Sequence, residues 1–167
     1  MTEQSSARQA LFAFLEQLGI TTSTIDHPPI YTVEDGAEHW ADIPGVHCKN
    51  LFLCDAKKAM WLVVCPTDRS IDLKTLPDRI GSKRLSFGSA DRLRRVLAVE
   101  PGSVTPFALV NDRATPSLTV VLDQWMMQQP LLNYHPLENT ATTTISNHDL
   151  RRFVAACGHP CHEVDLT

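Results

Sequence analysis

The sequence predicts one α/β domain, built on a mixed, mostly antiparallel sheet flanked by helices. Paired short apolar runs separated by polar turns read as hairpins. Amphipathic stretches carry capping residues at their ends, as helices do. Nowhere do strands and long helices alternate in the order a doubly wound parallel sheet requires. No linker, repeat or low-complexity tract interrupts the chain, so residues 1–167 read as a single unit.

Leu11, Phe14, Leu15 and Leu18 share one helical face, which predicts a helix from about Ser5 to Leu18 closed by Gly19. Thr21 to Asp26 is a short β-rich segment stopped by His27-Pro28-Pro29, and Thr32 with Asp35 forms a capping box for a short helix towards Trp40. Leu51–Cys54 and Met60–Cys65 form a hairpin, with Lys49-Asn50 at its mouth. A helix is expected from Asp72, broken or kinked at Pro77. Leu85–Phe87 reads as a short strand, and Ser89 caps a helix carrying Leu93, Val96 and Leu97. Pro101 to Pro106 is a loop by composition, followed by a second expected hairpin, Phe107–Val110 with Leu118–Leu122. Leu131–Tyr134 and Thr140–Ile145 look extended. Ser146 with Asp149 opens a last helix that ends at Gly158.

Composition narrows the function classes. At 43% hydrophobic and 20% charged residues, the chain is not disordered. It has no apolar run long enough to span a membrane, and Met1 to Thr21 lacks a secretory pattern. Five scattered cysteines, Cys48, Cys54, Cys65, Cys157 and Cys161, do not form a disulfide framework, so a reducing cytoplasm is expected. The net charge of −4 argues against a DNA-coating protein. Between Arg69 and Arg95, however, eight basic residues stand against three acidic ones. Such a patch can hold a few phosphates, and it can equally be the solvated face of two helices.

There is no phosphate loop, no Gly-x-Ser-x-Gly elbow and no His-Glu-x-x-His. Cys157-Gly-His159-Pro-Cys161-His162 fits no zinc spacing and reads as a structural tail, with no metal or cofactor expected. Cys54 and Cys65 lie in apolar strands, where a thiolate is costly. The remaining candidates are Lys49 and Asn50 at the start of a buried strand, the glycine loop at Gly102, and His135. A lysine in that position either meets an anion or snorkels to the surface.

At these residues the chain resembles the YbaK/ProX family of aminoacyl-tRNA editing domains, in particular its freestanding alanyl-tRNA(Pro) deacylases. The similarity runs through Asp26-His-Pro-Pro-Ile-Tyr-Thr-Val-Glu-Asp-Gly36, Gly45-Val-His-Cys-Lys-Asn-Leu-Phe-Leu53 and Ile71-Asp-Leu-Lys74. It continues in Gly81-Ser-Lys-Arg-Leu-Ser-Phe-Gly88, Pro101-Gly-Ser-Val-Thr-Pro-Phe107, Asn133-Tyr-His-Pro-Leu137 with Asn139, and Asp149-Leu-Arg-Arg-Phe153. The resemblance implies a barrel-like sheet and hydrolysis of a mischarged aminoacyl ester. An ester is already activated, so that reaction needs positioning and charge stabilisation more than a strong nucleophile.

By the same resemblance Lys49 holds the terminal adenosine of the tRNA, and Asn50 orients the ester or the attacking water. Gly102, Ser103 and Pro106 of the Gly-x-x-x-Pro loop bind the aminoacyl group, and His135 shapes the pocket or positions water. Ile30, Val33 and Phe52 are candidate pocket walls, though they read equally as core, and Lys83 and Arg84 are candidate acceptor-stem contacts. The Lys49-Asn50 pair favours Ala-tRNA(Pro) as substrate. The expected partners are aminoacyl-tRNA and prolyl-tRNA synthetase, with a monomer and no membrane. Ser- or Cys-charged tRNA, or tRNA binding without catalysis, are the alternatives.

Overall fold

The structure is a computed structural model that describes residues 6–30 and 42–167; the helix expected between Thr32 and Trp40, and Val33 within it, lie outside the described residues. Helix α1 (Ser6–Gln17) buries Leu11 and Leu15. Arg8 on the same helix is only 2% exposed, and its guanidinium donates to Asp26 at 2.8 Å and Glu138 at 3.0 Å. Burying a charge is costly unless it is paired, so those two carboxylates fix α1 against the sheet.

The described residues form eight strands: β1 (Ser23–Asp26), β2 (Val46–Asp55), β3 (Met60–Pro66), β4 (Leu85–Phe87), β5 (Leu118–Asp123), β6 (Leu131–Tyr134), β7 (Ala141–Ser146) and β8 (Cys161–Val164). Their order is β1-β7-β6-β2-β3-β5-β8, with β4 added beside β2. Pairs β1–β7, β6–β7, β2–β3 and β2–β4 are antiparallel, while β2–β6, β3–β5 and β5–β8 are parallel. The fold is therefore mixed α/β as expected. The sheet stays open, ending at β1 and β8 among the described strands.

Helices cover the sheet where the caps foretell them. Ser89 Oγ accepts from the Arg92 amide to start α3 (Ala90–Leu97), and Ser146 Oγ accepts from the Asp149 amide to start α4 (Asn147–Cys157). Pro77 does not break the helix expected from Asp72. It sits in the first turn of α2 (Leu76–Ile80), where a missing amide costs nothing, and the preceding residues turn instead. The second expected hairpin does not form. Pro106–Asp112 is a 3₁₀ helix whose apolar residues are all buried, and Leu118–Asp123 pairs in parallel with β3. A buried apolar run is ambiguous between strand and helix, and Pro106 at its first turn settles the matter. The Cys157–His162 tail supplies β8, an edge strand.

Two clusters of apolar side chains lie on opposite faces of β2 and β3. Phe52, Cys54, Leu62 and Val64 pack with Phe107, Tyr134, Leu150 and Phe153 in the larger one. Leu53, Val63 and Cys65 pack with Leu76, Leu85 and Leu166 in the smaller. Before β2 the chain passes through Gly45 at φ 101°, where a Cβ would lie 2.8 Å from the Leu131 carbonyl oxygen. A Gly45→Ala variant is expected to lose about 1–3 kcal/mol or more of stability, read as a lower denaturation midpoint; an unchanged midpoint would contradict this close approach of β2 to β6.

Candidate functional site

Lys49 and Asn50 lie inside β2, not at its mouth, because the strand begins at Val46. Register with β3 is regular, Lys49 opposite Cys65 and Asn50 opposite Val64, so the pleat sends the two side chains to opposite faces. Asn50 shares the face of Phe52 and the larger core, and its buried Oδ1 has no hydrogen-bond partner among the described residues. A buried carbonyl oxygen left unpaired costs about 1–3 kcal/mol. Lys49 shares the face of Leu51 and Cys65. Burial pushes the Cys65 thiol up to about 11, and the Lys49 charge opposes that rise, as expected of neighbours.

On the other edge of β2, β6 runs beside it only through Val46↔Leu132 and His47↔Asn133. Further along, β4 joins at Leu53↔Phe87. Among the described strands nothing pairs with that edge from Cys48 to Leu51, which leaves an opening between β6 and β4. His135 directly follows β6 on the Lys49 face, by the alternation that puts Leu132 and Tyr134 in the core. Its Nδ1 lies 3.2 Å from the Ala141 carbonyl oxygen, and burial, with a lesser contribution from His27, holds its pKa below the ordinary 6.5. His47, Cys48, Asn133, Tyr134, His135 and Thr142 line a small cleft there, at the lower limit for one water.

The Gly102–Pro106 loop lies on the Asn50 side. Ser103, Thr105 and Pro106 are buried, Gly102 is exposed, and Val104 packs on the larger core. Phe107, just beyond, meets Tyr134 edge-on at 6.0 Å, and the Tyr134 hydroxyl reaches the Met126 sulfur that Cys48 Sγ also contacts. The loop is thus braced against β6 and β2. Ile30 is buried and clamped to Asn139 by hydrogen bonds in both directions, 3.1 Å each, beside the β6–β7 turn. Phe52 is buried in the larger core, where its ring lies 2.4 Å from where a Cβ on Gly88 would be. Lys83 and Arg84 are exposed ahead of β4, held through their backbones to Asp55 and Ala56.

Sequence reading passed over His47, Asn133, His27 and Thr142, all near the opening. His27 Nε2 lies 2.8 Å from Thr142 Oγ1, and the Asn133 amide donates to the Pro44 carbonyl at 3.0 Å. The alternation His47-x-Lys49 was a legible signal for the first of them. Burial pushes the Cys48 and Cys157 thiols up to about 12, so neither is poised as a nucleophile. Among the described residues no three His, Cys, Asp or Glu side chains gather as a metal set, and His159 pairs with Asp112 at 2.8 Å. No helix among the described residues is long and apolar enough to cross a membrane.

Residues 27–153 match the aminoacyl-tRNA editing domain family. The chain belongs to that family. The prolyl-tRNA editing protein ProX of Acetoanaerobium sticklandii is 42% identical over 96% of this chain and 98% of its own. The prolyl-tRNA synthetase associated domain-containing protein 1 of Danio rerio is 38% identical over 91% of this chain and 83% of its own. Among solved structures, a candidate trans-editing enzyme for prolyl-tRNA synthetase superposes with a TM-score of 0.71 at 16% identity, covering 98% of this chain and 99% of that one. At that identity it speaks for the fold alone.

In this editing domain the opening lies along β2 between β6 and β4. His135 gives it a measurable signature. Its lowered pKa means that the unfolded chain takes up a proton near pH 6.5 while the folded chain resists until lower pH. The stability this residue contributes is therefore complete above 6.5 and is lost as pH falls through the lower folded value. Urea unfolding of His135→Gln is expected to fall less steeply between about pH 7 and 5 than wild type; identical slopes would contradict the burial of His135.

Proposed function

We propose that this chain hydrolyses the ester of alanine wrongly attached to tRNA(Pro) and spares Pro-tRNA(Pro). Membership of the editing family makes it an aminoacyl-tRNA deacylase, an ester hydrolase. The observation that carries the finer reading is the stretch of β2 that no described strand pairs, with Lys49 and His135 on one side and Asn50 and the glycine loop on the other. An aminoacyl ester laid across that edge meets a cation, an unpaired amide oxygen and backbone groups at once.

In this reading Lys49 clamps the terminal adenosine through its phosphate or the ester carbonyl, where a lysine ammonium acts as a point-charge anion binder. Asn50 Oδ1 accepts a hydrogen bond from the attacking water or the substrate amine. Gly102, Ser103 and Pro106 offer backbone groups to the aminoacyl moiety, and His135 fixes a water in the cleft. Ile30, Val33 and Phe52 bound the space left for the side chain. Lys83 and Arg84 meet acceptor-stem phosphates. Water is then the nucleophile, in keeping with thiols held neutral by burial.

The size logic is a sieve. A synthetase that binds proline rejects alanine by only about 1–3 kcal/mol per missing methylene, so a second site too tight for proline must complete the selection. The whole chain acts as one editing unit, a monomer in the cytoplasm that works alongside prolyl-tRNA synthetase, consistent with the names of its relatives.

The test is release of labelled amino acid from Ala-, Pro-, Cys- and Ser-tRNA(Pro), with Lys49→Ala alongside. Alanine is expected to be freed with proline spared, and Lys49→Ala to be about 100- to 1,000-fold slower, the usual cost of one electrostatic contact to the transition state. Preferred release of serine or cysteine would move the specificity, and binding of tRNA without release of any amino acid would contradict the proposal.

A further inference from the structure

Phe87 is 66% exposed, the most exposed large apolar side chain described. Its register partner on β2, Leu53, is fully buried, so both lie on the sheet face that carries Lys49. Phe87 ends β4, the strand that closes one side of the opening, and the Gly88 amide donates to the Phe52 carbonyl at 2.9 Å just beyond it. Leu53 is four residues along β2 from Lys49, a span of about 13 Å. The aromatic ring therefore stands in solvent at the rim of the opening, on the Lys49 side.

The chain around it is rich in cations, with one carboxylate, Asp55, accepting from the Lys83 amide at 3.2 Å. Lys83 and Arg84 precede Phe87, both exposed and without an ion pair among the described residues, and Arg95 is exposed on the helix that follows. The stretch from Arg69 to Arg95 carries eight basic and three acidic residues in a chain of net −4. The other exposed large apolar residues lack this setting: Ile25 adjoins Asp26, and Trp125 follows Asp123 and Gln124. An exposed ring among cations suits the flat face of a nucleobase on a polyanionic strand.

We propose that Phe87 is a stacking platform for an unpaired base of the tRNA 3′ end, with Lys83 and Arg84 holding the backbone beside it. The terminal aminoacyl-adenosine then lies at the β2 edge, and an upstream base of the same single strand rests on Phe87. This deepens the editing reading and rests on it for the identity of the nucleic acid. The platform reads no sequence, because every base offers the same kind of face.

The experiment measures binding of uncharged tRNA(Pro), intact or trimmed of its unpaired 3′ nucleotides, to wild type, Phe87→Ala and Phe87→Trp. Phe87→Ala is expected to weaken binding of intact tRNA about five-fold or more, to leave trimmed tRNA unchanged, and to be made good by Phe87→Trp. Equal effects on both tRNAs, or none, would overturn the platform. So would a loss confined to binding of prolyl-tRNA synthetase, which would make Phe87 a protein contact. Deacylation by the wild type is followed in parallel. Turnover of Ala-tRNA(Pro) without an end-dependent effect of Phe87 defeats the platform alone, and an end-dependent effect without turnover of any substrate defeats the editing reading alone.

Discussion

The site depends on one strand whose second edge is shared by two partners that do not meet. β2 is held along one edge by β3 from Cys48 to Cys54. On its other edge it pairs with β6 at the start and with β4 at the end, and these partners approach from opposite directions. Between them, from Cys48 to Leu51, no described strand pairs with that edge. Gly45 permits the close approach that starts the β2–β6 pairing, and Gly88 lets β4 turn away across the Phe52 ring. Two glycines thus set the two ends of the opening.

Because the opening is an edge, it gathers groups from both faces of a sheet that would otherwise never meet. Lys49 and Asn50 are neighbours in sequence and opposite in space. A pocket on either face alone would use one of them. A substrate crossing the edge, as proposed, would use both, with the cation and the imidazole on one side and the amide and the glycine loop on the other. That division suits hydrolysis of an activated ester, in which the scaffold orients water and stabilises developing charge.

Much of this was legible in the residues. Caps at Ser89 and Ser146 and the α1 stripe follow from local chemistry and formed where local rules put them, while the β2–β3 hairpin formed with a first strand that starts earlier, at Val46. Errors arose where local rules are silent. The run from Phe107 to Val110 is apolar enough for a strand, yet Pro106 and the demands of the surrounding core make it a 3₁₀ helix. Leu118–Asp123 looked like half of a hairpin because parallel pairing leaves no turn to read. β8 was hidden in a polar tail because an edge strand needs no apolar run. At the site, the residue types could be picked out, while their division between two faces required knowing that the strand begins at Val46. The exposure of Phe87 had no signal at all in a sequence where it reads as one more apolar residue in a strand.

The central claim is that the acylated end of a tRNA lies across the β2 edge between His135 and Gly88. The most direct test is the structure of the protein bound to a non-hydrolysable 3′-alanylamido-adenosine. The claim predicts the adenosine phosphate or the acyl carbonyl within hydrogen-bonding distance of Lys49 Nζ, with the Asn50 amide and the Gly102 loop on the opposite side of the ligand. A ligand held on one face only, or seated away from the edge between Cys48 and Leu51, would contradict it.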